Sequence, residues 1–323
     1  MEANLDVYFY EVFEEEGRLL RKLIGDRLKF ECTDKTIQES GHQHPPARLI
    51  SVRTQSVIPV VWQDELDGVL SRTTGFDNLK AYKKVISRSV ALGYLEEYAT
   101  RAVAEQAVLL MLALMRRLPR QIEQFLQFNR DGLTGVECAG KKLLIVGVGR
   151  IGGEIVRIGQ GLGMEVRGVD IVRRHDFVDY VDRDEGLGWA EVIICAMNLT
   201  EENYHYFSYG LLKKARPGVI FINIARGEHA PLKDMLRLIK ERRLGGLGLD
   251  VFEDEPEVGE ALRTNRVNSS EKARLVAELL KHQNVILTPH NAFNTAEAVQ
   301  RKAEFSVNEI FHFLHSGHFR NQV

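Results

Sequence analysis

Short apolar runs rich in β-type residues alternate with helical patterns along the chain. In the first hundred residues these runs lie at 6–10, 28–31, 49–52, 68–71 and 85–92. Segments with a helical pattern, such as "EEEGRLLRKLIG" (14–25), separate them. Alternation of strands and helices predicts a mainly parallel sheet with helices on both faces, and therefore an α/β fold.

A long helical pattern precedes a second group of apolar runs. The pattern "TRAVAEQAVLLMLALMRRLPRQIEQF" (100–125) has a wide apolar face. Thr100 is suited to cap its start, and Pro119 is expected to end or kink it. The second group of runs lies at 142–147, 165–170, 191–196, 218–223, 246–250 and 284–289. Six strands in two halves are the number expected of a doubly wound, dinucleotide-binding sheet.

The last strand connection and the C-terminal segment both contain helical patterns. The connection at 257–283 is long enough to be an insertion at the surface, and its second half predicts a helix capped by Ser269 or Ser270. After the sixth run, residues 294–317 predict one helix that leads to the C-terminus.

Composition limits the class of protein. With 323 residues, 43 Lys and Arg and 45 Asp and Glu, the chain is long enough for two domains and has a net charge of -2. The absence of a basic excess argues against nucleic acid as the main partner.

Cys32, Cys138 and Cys195 form no CxxC pair, so neither a disulfide framework nor a zinc site is expected, and Cys195 is expected in the core. With no signal-like start and no membrane-length apolar run, we expect a cytoplasmic enzyme or regulator without a membrane partner.

A glycine motif follows the first run of the second group. Gly147-x-Gly149-x-x-Gly152 stands between a predicted strand and a predicted helix. Gly147 permits a tight turn, Gly149 lets a pyrophosphate approach the backbone, and Gly152 permits close packing of helix on strand. Arg150 and Ile151 then lie at the helix N-terminus, where free N–H groups favour an anion. The alternative interpretation is an ordinary glycine-rich turn.

An acidic residue at the end of the next strand supports a dinucleotide. Asp170 lies 18 residues beyond Gly152 and suits the two hydroxyls of an adenosine ribose. It repels a 2′-phosphate, so NAD is the predicted cofactor rather than NADP. Arg173 and Arg174 are interpreted as solvated surface charges, although their proximity would soften that preference.

Three ionisable residues follow later strands of the same predicted sheet. Arg226 follows the fourth run, Glu255 comes five residues after Asp250 at the end of the fifth, and His290 follows the sixth. Ligands bind outside the carboxyl ends of strands in such sheets, so we expect these side chains at one edge, with the glycine loop.

This set suits hydride transfer to or from a 2-oxo or 2-hydroxy acid. Arg226 offers a planar fork of donors to a carboxylate, and His290 can donate or accept the hydroxyl proton. Glu255 would fix the imidazole ring and favour its charged form. Taken alone, each of these three residues is also consistent with an ordinary surface or loop position without a catalytic role. His42 and His44 in "GHQHPP" lack further ligands, so no metal site is predicted.

At this point the chain resembles the D-isomer-specific 2-hydroxyacid dehydrogenase family. The matching pieces are "GKKLLIVGVGRIGGEIV", "NIARGE", "LGLDVFEDEP" and "TPHNAF", in the family's order. The pieces "LSRTTGFDNL" and "YATRAVAEQAVLLMLALMRR" are similar to its first-domain loop and connecting helix. The resemblance implies a Rossmann NAD-binding domain, 101–294, inserted into a smaller flavodoxin-like α/β substrate domain made of 1–100 and 295–323. It also implies a homodimer formed through the nucleotide domain.

The resemblance also assigns residue roles. It implies Arg226 as substrate clamp, His290 as acid/base with Glu255 as its partner, and Asp250 near the nicotinamide amide. The other implied cofactor contacts are Ala196, Asn203 and Ala225, and the implied substrate contacts are Arg53 and the backbone of Thr73, Thr74 and Gly75.

Details around these motifs favour one branch of the family. "TPHNAFNTAEAV" and Asn203 are closer to the D-lactate dehydrogenase branch than to phosphoglycerate dehydrogenase, where Gly and Ser usually follow the His. Asn198 stands where the family often has Pro, and "EHAP" (228–231) replaces an apolar and then acidic continuation. These departures bear on substrate identity and cofactor affinity more than on the reaction type.

Three functions are therefore compared. The first is an NAD-dependent dehydrogenase acting on a small D-2-hydroxy or 2-oxo acid. The second is an NAD(H)-binding regulator, similar to corepressors on this scaffold. The third, a methyltransferase that uses the glycine loop for adenosylmethionine, gives no reason for Arg226, Glu255 and His290 at three strand ends.

Overall fold

The structure is a computed structural model that describes residues 5–323. The chain divides into two compact units. The first unit runs up to Ala99 and resumes at Asn294–Val323, and the second is Thr100–Phe293. The α/β fold class predicted from the sequence is confirmed in both units.

The described part of the first unit contains a parallel sheet with the strand order β2-β1-β3-β4-β5. Its strands are β1 (Val7–Phe9), β2 (Phe30–Cys32), β3 (Leu49–Val52), β4 (Gly68–Ser71) and β5 (Ala91–Tyr94). Its helices are α1 (Glu14–Ile24), α2 (Ile37–Ser40), α3 (Asp77–Val85) and α12 (Ala296–Ser316). The last run predicted for this unit, 85–92, is displaced, because its first residue belongs to α3.

Helix α12 is the single helix predicted after the last strand, and it packs in the first unit. Thr295 caps it by accepting a hydrogen bond from Ala298 N. A Cβ added at Gly68 would lie 2.5 Å from the Phe313 ring, so the close approach of α12 to β4 requires glycine there.

The second unit contains a parallel sheet with the order β12-β11-β10-β9-β6-β7-β8. Its strands are β6 (Lys142–Val146), β7 (Glu165–Val169), β8 (Asp179–Tyr180), β9 (Val192–Cys195), β10 (Val219–Asn223), β11 (Leu244–Leu249) and β12 (Val285–Leu287). Its helices are α4 (Thr100–Met115), α5 (Leu118–Gln124), α6 (Arg150–Gly161), α7 (Arg183–Trp189), α8 (Tyr209–Leu212), α9 (Leu232–Lys240), α10 (Glu255–Arg263) and α11 (Glu271–Leu279). The order reverses direction between β6 and β9, the switch point at which such sheets bind ligands.

Two details of this unit differ from expectation. Strand β8 was not predicted, because two residues at a sheet edge carry no periodic signal. The break expected near Pro119 in the helix over 100–125 is confirmed. The helix divides at Arg117, which takes a left-handed conformation (φ 54°), and Pro119 lies in the first turn of α5. Thr100 is the first helical residue of α4 rather than its cap.

Both faces of the second sheet are covered by apolar side chains. One cluster includes Ile193, Phe221 and Leu247, and the other includes Leu143, Ile145 and Ile194. Burial on both faces explains why these strands appear in the sequence as continuous apolar runs. The predicted helix in the 257–283 connection is confirmed as α11, capped by Ser270. In the described residues no helix is long and apolar enough to cross a membrane.

Candidate active site

Steric constraints explain two glycines of the loop between β6 and α6. Gly147 has a φ of 92°, and a Cβ there would lie 2.5 Å from Met197 N. A Cβ at Gly152 would lie 2.0 Å from the carbonyl oxygen of Gly147, which fixes the distance between helix and strand. A side chain at either position would displace the loop.

Gly149 is glycine for a different reason. It is the N-cap of α6, and a Cβ built on it would meet nothing within 4 Å. The backbone of this turn is therefore accessible beside the N–H groups of the first turn, which include those of exposed Arg150 and half-buried Ile151. This open cradle fits a pyrophosphate held by backbone donors.

Asp170 connects the end of β7 to the glycine loop. Its Oδ2 accepts a hydrogen bond from Val148 N at 2.6 Å, and its Oδ1 accepts one from Val172 N at 2.9 Å. A carboxylate has about four acceptor positions, so these bonds leave capacity for ribose hydroxyls. The carboxylate thus supports the shape of the phosphate loop, a role that the sequence did not indicate.

His175 is a residue near this loop that the sequence analysis missed. Its Nε2 lies 3.3 Å from the Gly149 carbonyl oxygen, and a Cβ at Gly153 would lie 2.9 Å from the same nitrogen. The sequence does not predict this contact, because the turn that brings His175 back to α6 has no hydrophobic periodicity. Arg173 and Arg174, by contrast, are exposed as expected.

Arg226 follows β10 in a segment fastened by Asn223. Asn223 Nδ2 donates to the Arg226 carbonyl oxygen at 2.7 Å, and Asn223 Oδ1 accepts from Ala225 N at 3.1 Å. Arg226 Nη1 donates to the carbonyl oxygen of Ala225 at 2.7 Å. Gly227 then lies against the next loop, where a Cβ would be 1.8 Å from the Phe252 carbonyl carbon.

Glu255 and His290 are in direct contact. Nδ1 of His290 lies 2.7 and 2.9 Å from the two carboxylate oxygens of Glu255. The backbone holds His290 in a left-handed conformation (φ 49°), and its N–H donates to the carbonyl oxygens of Asp250 and Thr288. The exposed fractions of the His290 and Glu255 side chains, 22% and 17%, leave the pair accessible to a small molecule.

Asp250 organises the loop that carries His290. It is fully buried, and its oxygens accept hydrogen bonds from the Thr288 hydroxyl, Asn291 N and Ala292 N. Burial raises the pKa of the Asp250 carboxyl, while these hydrogen bonds and His290 oppose the rise. The structure therefore gives Asp250 a positioning function, whereas its predicted place beside the nicotinamide stays a prediction.

The loop after β9 holds Ala196 and Asn203. Asn203 Nδ2 donates to the Asn198 carbonyl oxygen at 2.8 Å, and Asn203 Oδ1 accepts from Thr200 N at 2.8 Å. These bonds close the turn at the position where the family often has Pro. Whether Ala196, Asn203 and Ala225 contact the cofactor stays a prediction.

The unusual "EHAP" stretch forms a buried turn after Arg226. His229 is fully buried, with Nδ1 3.7 Å from Cys195 Sγ, and its carbonyl oxygen accepts from Phe207 N at 2.8 Å. Cys195 is a core residue, as predicted, and burial raises the pKa of its thiol to about 12. His229 thus fills core space beside Cys195.

The first unit brings its own predicted residues to the carboxyl edge of its sheet. Arg53 follows β3, and its N–H donates to Glu11 Oε2 at 2.9 Å. Thr73, Thr74 and Gly75 follow β4, and the Thr73 hydroxyl donates to the Gly75 carbonyl oxygen at 2.6 Å. Their predicted contact with substrate stays a prediction.

A buried charge cluster in the first unit was not predicted. Glu16 of α1 contacts Arg72 Nε and Lys302 Nζ, each at 3.0 Å, and all three side chains are fully buried. Burial alone would raise the pKa of Glu16, but Arg72, Lys302 and Arg53 lower it to about 2. Burial lowers the pKa of Lys302 to about 7. No local sequence pattern predicts such a cluster, because its members are distant from one another in the chain.

His42 and His44 have partners of their own in the first unit. His42 Nδ1 lies 2.8 Å from the Tyr10 hydroxyl, and His44 Nδ1 lies 2.9 Å from Glu65 Oε1. Burial raises the pKa of Tyr10. Across residues 5–323, no group of three or more His, Cys, Asp or Glu side chains is arranged to hold a metal ion.

The second unit has the features of a nucleotide-dependent oxidoreductase, with a phosphate loop, a ribose-type Asp and a His–carboxylate pair on one sheet edge. The family model described as "D-isomer specific 2-hydroxyacid dehydrogenase, NAD binding domain" matches residues 108–292. The chain belongs to the D-isomer-specific 2-hydroxyacid dehydrogenases, in the branch similar to D-lactate dehydrogenases. Its cofactor is NAD, and its reaction is oxidoreduction of 2-hydroxy and 2-oxo acids.

Individual relatives support this assignment. The chain is 31% identical over 247 residues to D-lactate dehydrogenase of Escherichia coli strain K12, which covers 74% of this chain and 73% of that protein. It is 30% identical over 258 residues to an aromatic 2-oxoacid reductase of Clostridium sporogenes, which covers 78% and 77%. The crystal structure of D-lactate dehydrogenase from Aquifex aeolicus, complexed with NAD and lactic acid, matches with a TM-score of 0.83 at 27% identity and 96% coverage of each chain.

Proposed function

We propose that the enzyme interconverts a D-2-hydroxy acid and its 2-oxo acid with Arg226, Glu255 and His290 as the reacting set. The observation that carries this proposal is the contact of His290 Nδ1 with both carboxylate oxygens of Glu255, at the sheet edge to which Arg226 also belongs. Bound NAD supplies the acceptor or donor of hydride. The chain must then hold the carboxylate of the acid and move one proton.

His290 is proposed to move that proton through Nε2. Because Glu255 accepts the Nδ1–H, the ring orientation is fixed and Nε2 is the nitrogen available to the substrate. During oxidation neutral Nε2 takes the hydroxyl proton, and during reduction the imidazolium returns a proton to the carbonyl oxygen. Glu255 offsets the charge that the ring acquires.

Arg226 is proposed to bind the substrate carboxylate. A guanidinium presents parallel N–H donors that match a carboxylate in two bonds, which fixes the orientation of C2 as well as its position. The Asn223 bonds hold the backbone of this segment in place. In the first unit, we propose that Arg53 and the Thr73–Gly75 backbone contribute further substrate contacts, which would then set preference among side chains.

The substrate is proposed to be a small 2-oxo acid. The relatives include a D-lactate dehydrogenase, aromatic 2-oxoacid reductases and a glyoxylate reductase from Thermofilum pendens, 28% identical over 97% of this chain. These activities share one reaction centre and differ in the group attached to C2. Pyruvate is the first substrate to test, followed by glyoxylate and an aromatic 2-oxo acid.

The first test is a 2-oxo acid panel with NADH and NADPH side by side. We expect NADH oxidation with at least one acid, and we expect His290→Ala to lower kcat by about 10²–10⁴-fold, as is usual for loss of a general acid–base. Calorimetry of NADH binding to the variant should give a wild-type affinity, which shows that the site is otherwise intact. Full activity in His290→Ala would refute the role of His290. Tight NADH binding without turnover of any acid would favour the regulator instead.

We also propose that the enzyme is a homodimer formed through the second unit. The segment from α5 to residue 136 exposes large apolar side chains, with Ile122, Phe125, Leu126 and Phe128 between 67% and 88% exposed. Continuous exposed apolar surface of this kind usually marks a protein interface. A second copy of the chain is the partner that the family resemblance indicates.

A further inference from the structure

Glu253 is a buried carboxylate in the loop between β11 and α10, two residues before Glu255 and beside the segment that carries Arg226. Its side chain is only 4% exposed. Its Oε2 accepts from Leu232 N at 2.7 Å, at the start of α9. It also contacts Lys272 Nζ of α11 and His205 Nε2 of the loop after β9, each at 3.0 Å. Burial of an unpaired carboxylate costs free energy, so Glu253 is stable in this position only while these partners stay in contact with it. The carboxylate therefore connects α9, α11 and the loop after β9.

The backbone at this position touches the arginine segment as well. A Cβ added at Gly227, the residue after Arg226, would lie 2.4 Å from Glu253 N. On the other side, only Asp254 separates Glu253 from Glu255, and Asp254 is itself in a left-handed conformation (φ 51°). A shift of Glu253 would therefore be transmitted in both directions.

The loop after β9 joins the same assembly through main-chain bonds. His205 N donates to the Glu228 carbonyl oxygen, and Phe207 N donates to that of His229, both at 2.8 Å. Together with the His205–Glu253 contact, these bonds fasten the loop that contains Asn203 to the segment after Arg226.

Lys272 gives the 257–283 connection a function in this arrangement. It lies in the first turn of α11, the helix that the connection adds to the unit. Partial burial alone would lower the pKa of Lys272, but the Glu253 carboxylate has the larger effect, so the net shift of the Lys272 pKa is upward.

We propose that Glu253 is a positioning residue for the Glu255–His290 pair and for Arg226, and that the 257–283 connection supplies Lys272 to keep it in place. This inference rests on the proposed function for its kinetic consequence. The structural part, the geometry of His290 against Glu255, is independent of turnover.

The test compares Lys272→Met and Glu253→Gln with a matched control. Lys272→Met keeps the apolar stem of the side chain and removes its charge. The control, Lys281→Met, removes a lysine just beyond the end of α11 whose side chain is 70% exposed and pairs with Glu278. We expect Lys272→Met and Glu253→Gln to lower kcat about tenfold, since small misplacements of reacting groups cost that much or more. The KM for the 2-oxo acid should rise by a smaller factor, and the Lys281→Met enzyme should remain at wild-type values.

The ¹⁵N NMR signals of the His290 ring provide a readout that needs no substrate. In the wild type we expect a single tautomer protonated at Nδ1, and in Lys272→Met a mixture of tautomers. A folded Lys272→Met enzyme with wild-type His290 signals and wild-type kcat would overturn the proposal, even if Glu253→Gln fails to fold. If the wild type reduces no 2-oxo acid, the proposed function fails, and the ring signals still decide the positioning proposal.

Discussion

At the scale of single residues, the buried cluster of Glu16, Arg72 and Lys302 has the clearest energetic consequence. The Arg72 guanidinium also donates to the Ser51 hydroxyl and to the Tyr10 carbonyl oxygen, so the cluster connects α1, β3, α12 and the residue that follows β1. A carboxylate paired twice in the interior stabilises the fold only while it is ionised.

The acid stability of the first unit should therefore depend on Glu16. Its pKa is about 2 in the folded state against an ordinary 4.5, so the folded state binds fewer protons than the unfolded chain between these values. The contribution is present above pH 4.5 and is lost as pH falls towards 2, and it amounts to about 3 kcal/mol. Urea unfolding followed by Trp62 fluorescence, in a Trp189→Phe background, measures it in the first unit.

The matched control is Glu14→Gln, because Glu14 lies on the same helix with an exposed side chain. Glu16→Gln should flatten the dependence on pH between 4.5 and 2, and Glu14→Gln should not. Should Glu16→Gln fail to fold, Glu16→Gln with Lys302→Met removes the charge pair together. An unchanged pH dependence in that variant would contradict the assignment.

Lys302 affects the stability of the first unit at higher pH than Glu16 does. Burial lowers the pKa of its ammonium to about 7 from an ordinary 10.5. Above pH 7 the unfolded chain keeps a proton that the folded chain has lost, so the stability of the first unit gains a contribution as pH rises from 7 towards 10.5.

At the scale of elements, the turn from β6 to α6 depends on three glycines for three different reasons. Gly147 needs a positive φ, Gly152 needs the absence of a side chain against the Gly147 carbonyl oxygen, and Gly149 leaves space for a ligand. Only the second of these is a packing constraint between helix and strand.

Two alanine substitutions on the same helix separate packing from helix propensity. In Gly152→Ala the new Cβ would lie 2.0 Å from the Gly147 oxygen, so the loop must move. We expect NAD affinity to fall at least about tenfold and the thermal midpoint to drop. In Gly161→Ala the Cβ meets nothing within 4 Å, and removal of a helical glycine should stabilise by about 0.5–1 kcal/mol with no change in NAD affinity. Equal NAD affinity in both variants, measured by calorimetry, would refute this account of Gly152.

At the scale of the whole molecule, we propose that the exposed apolar segment after α4 determines the oligomeric state. The residues directly after α5 include Phe125, Leu126 and Phe128, all of them more than 65% exposed. Several exposed apolar side chains in one short segment usually mark a protein interface.

The predicted dimer can be tested by analytical ultracentrifugation at micromolar concentration. We expect the wild type to sediment as a dimer, and Phe125→Glu with Leu126→Glu to sediment as a monomer, because two charges would be buried at the interface. Leu280→Glu is the control, since Leu280 is 56% exposed elsewhere in the same unit. A monomeric wild type would exclude the dimer, and a dimeric double variant would exclude this segment as its interface.

The sequence by itself determined most strands of both sheets, the glycine loop and the residues at the strand ends. Apolar runs of this length and spacing admit few other arrangements, and the carboxyl ends of parallel strands must share an edge. It failed at the edge strand β8, where two residues carry no periodic signal. It predicted a break near Pro119 in the helix over 100–125 but not its position at Arg117, because one backbone angle decides that position.

Only the tertiary structure decided how the site is held. Asp250 was predicted beside the nicotinamide, and its contacts show that it fixes the His290 loop. Glu253 has the appearance of a solvated acid in "DVFEDEP", yet it is buried against His205 and Lys272. The physical reason is the same in both cases. A polar side chain is buried according to which partners the fold brings to it, and those partners lie 19 to 48 residues away in the chain, beyond any local pattern.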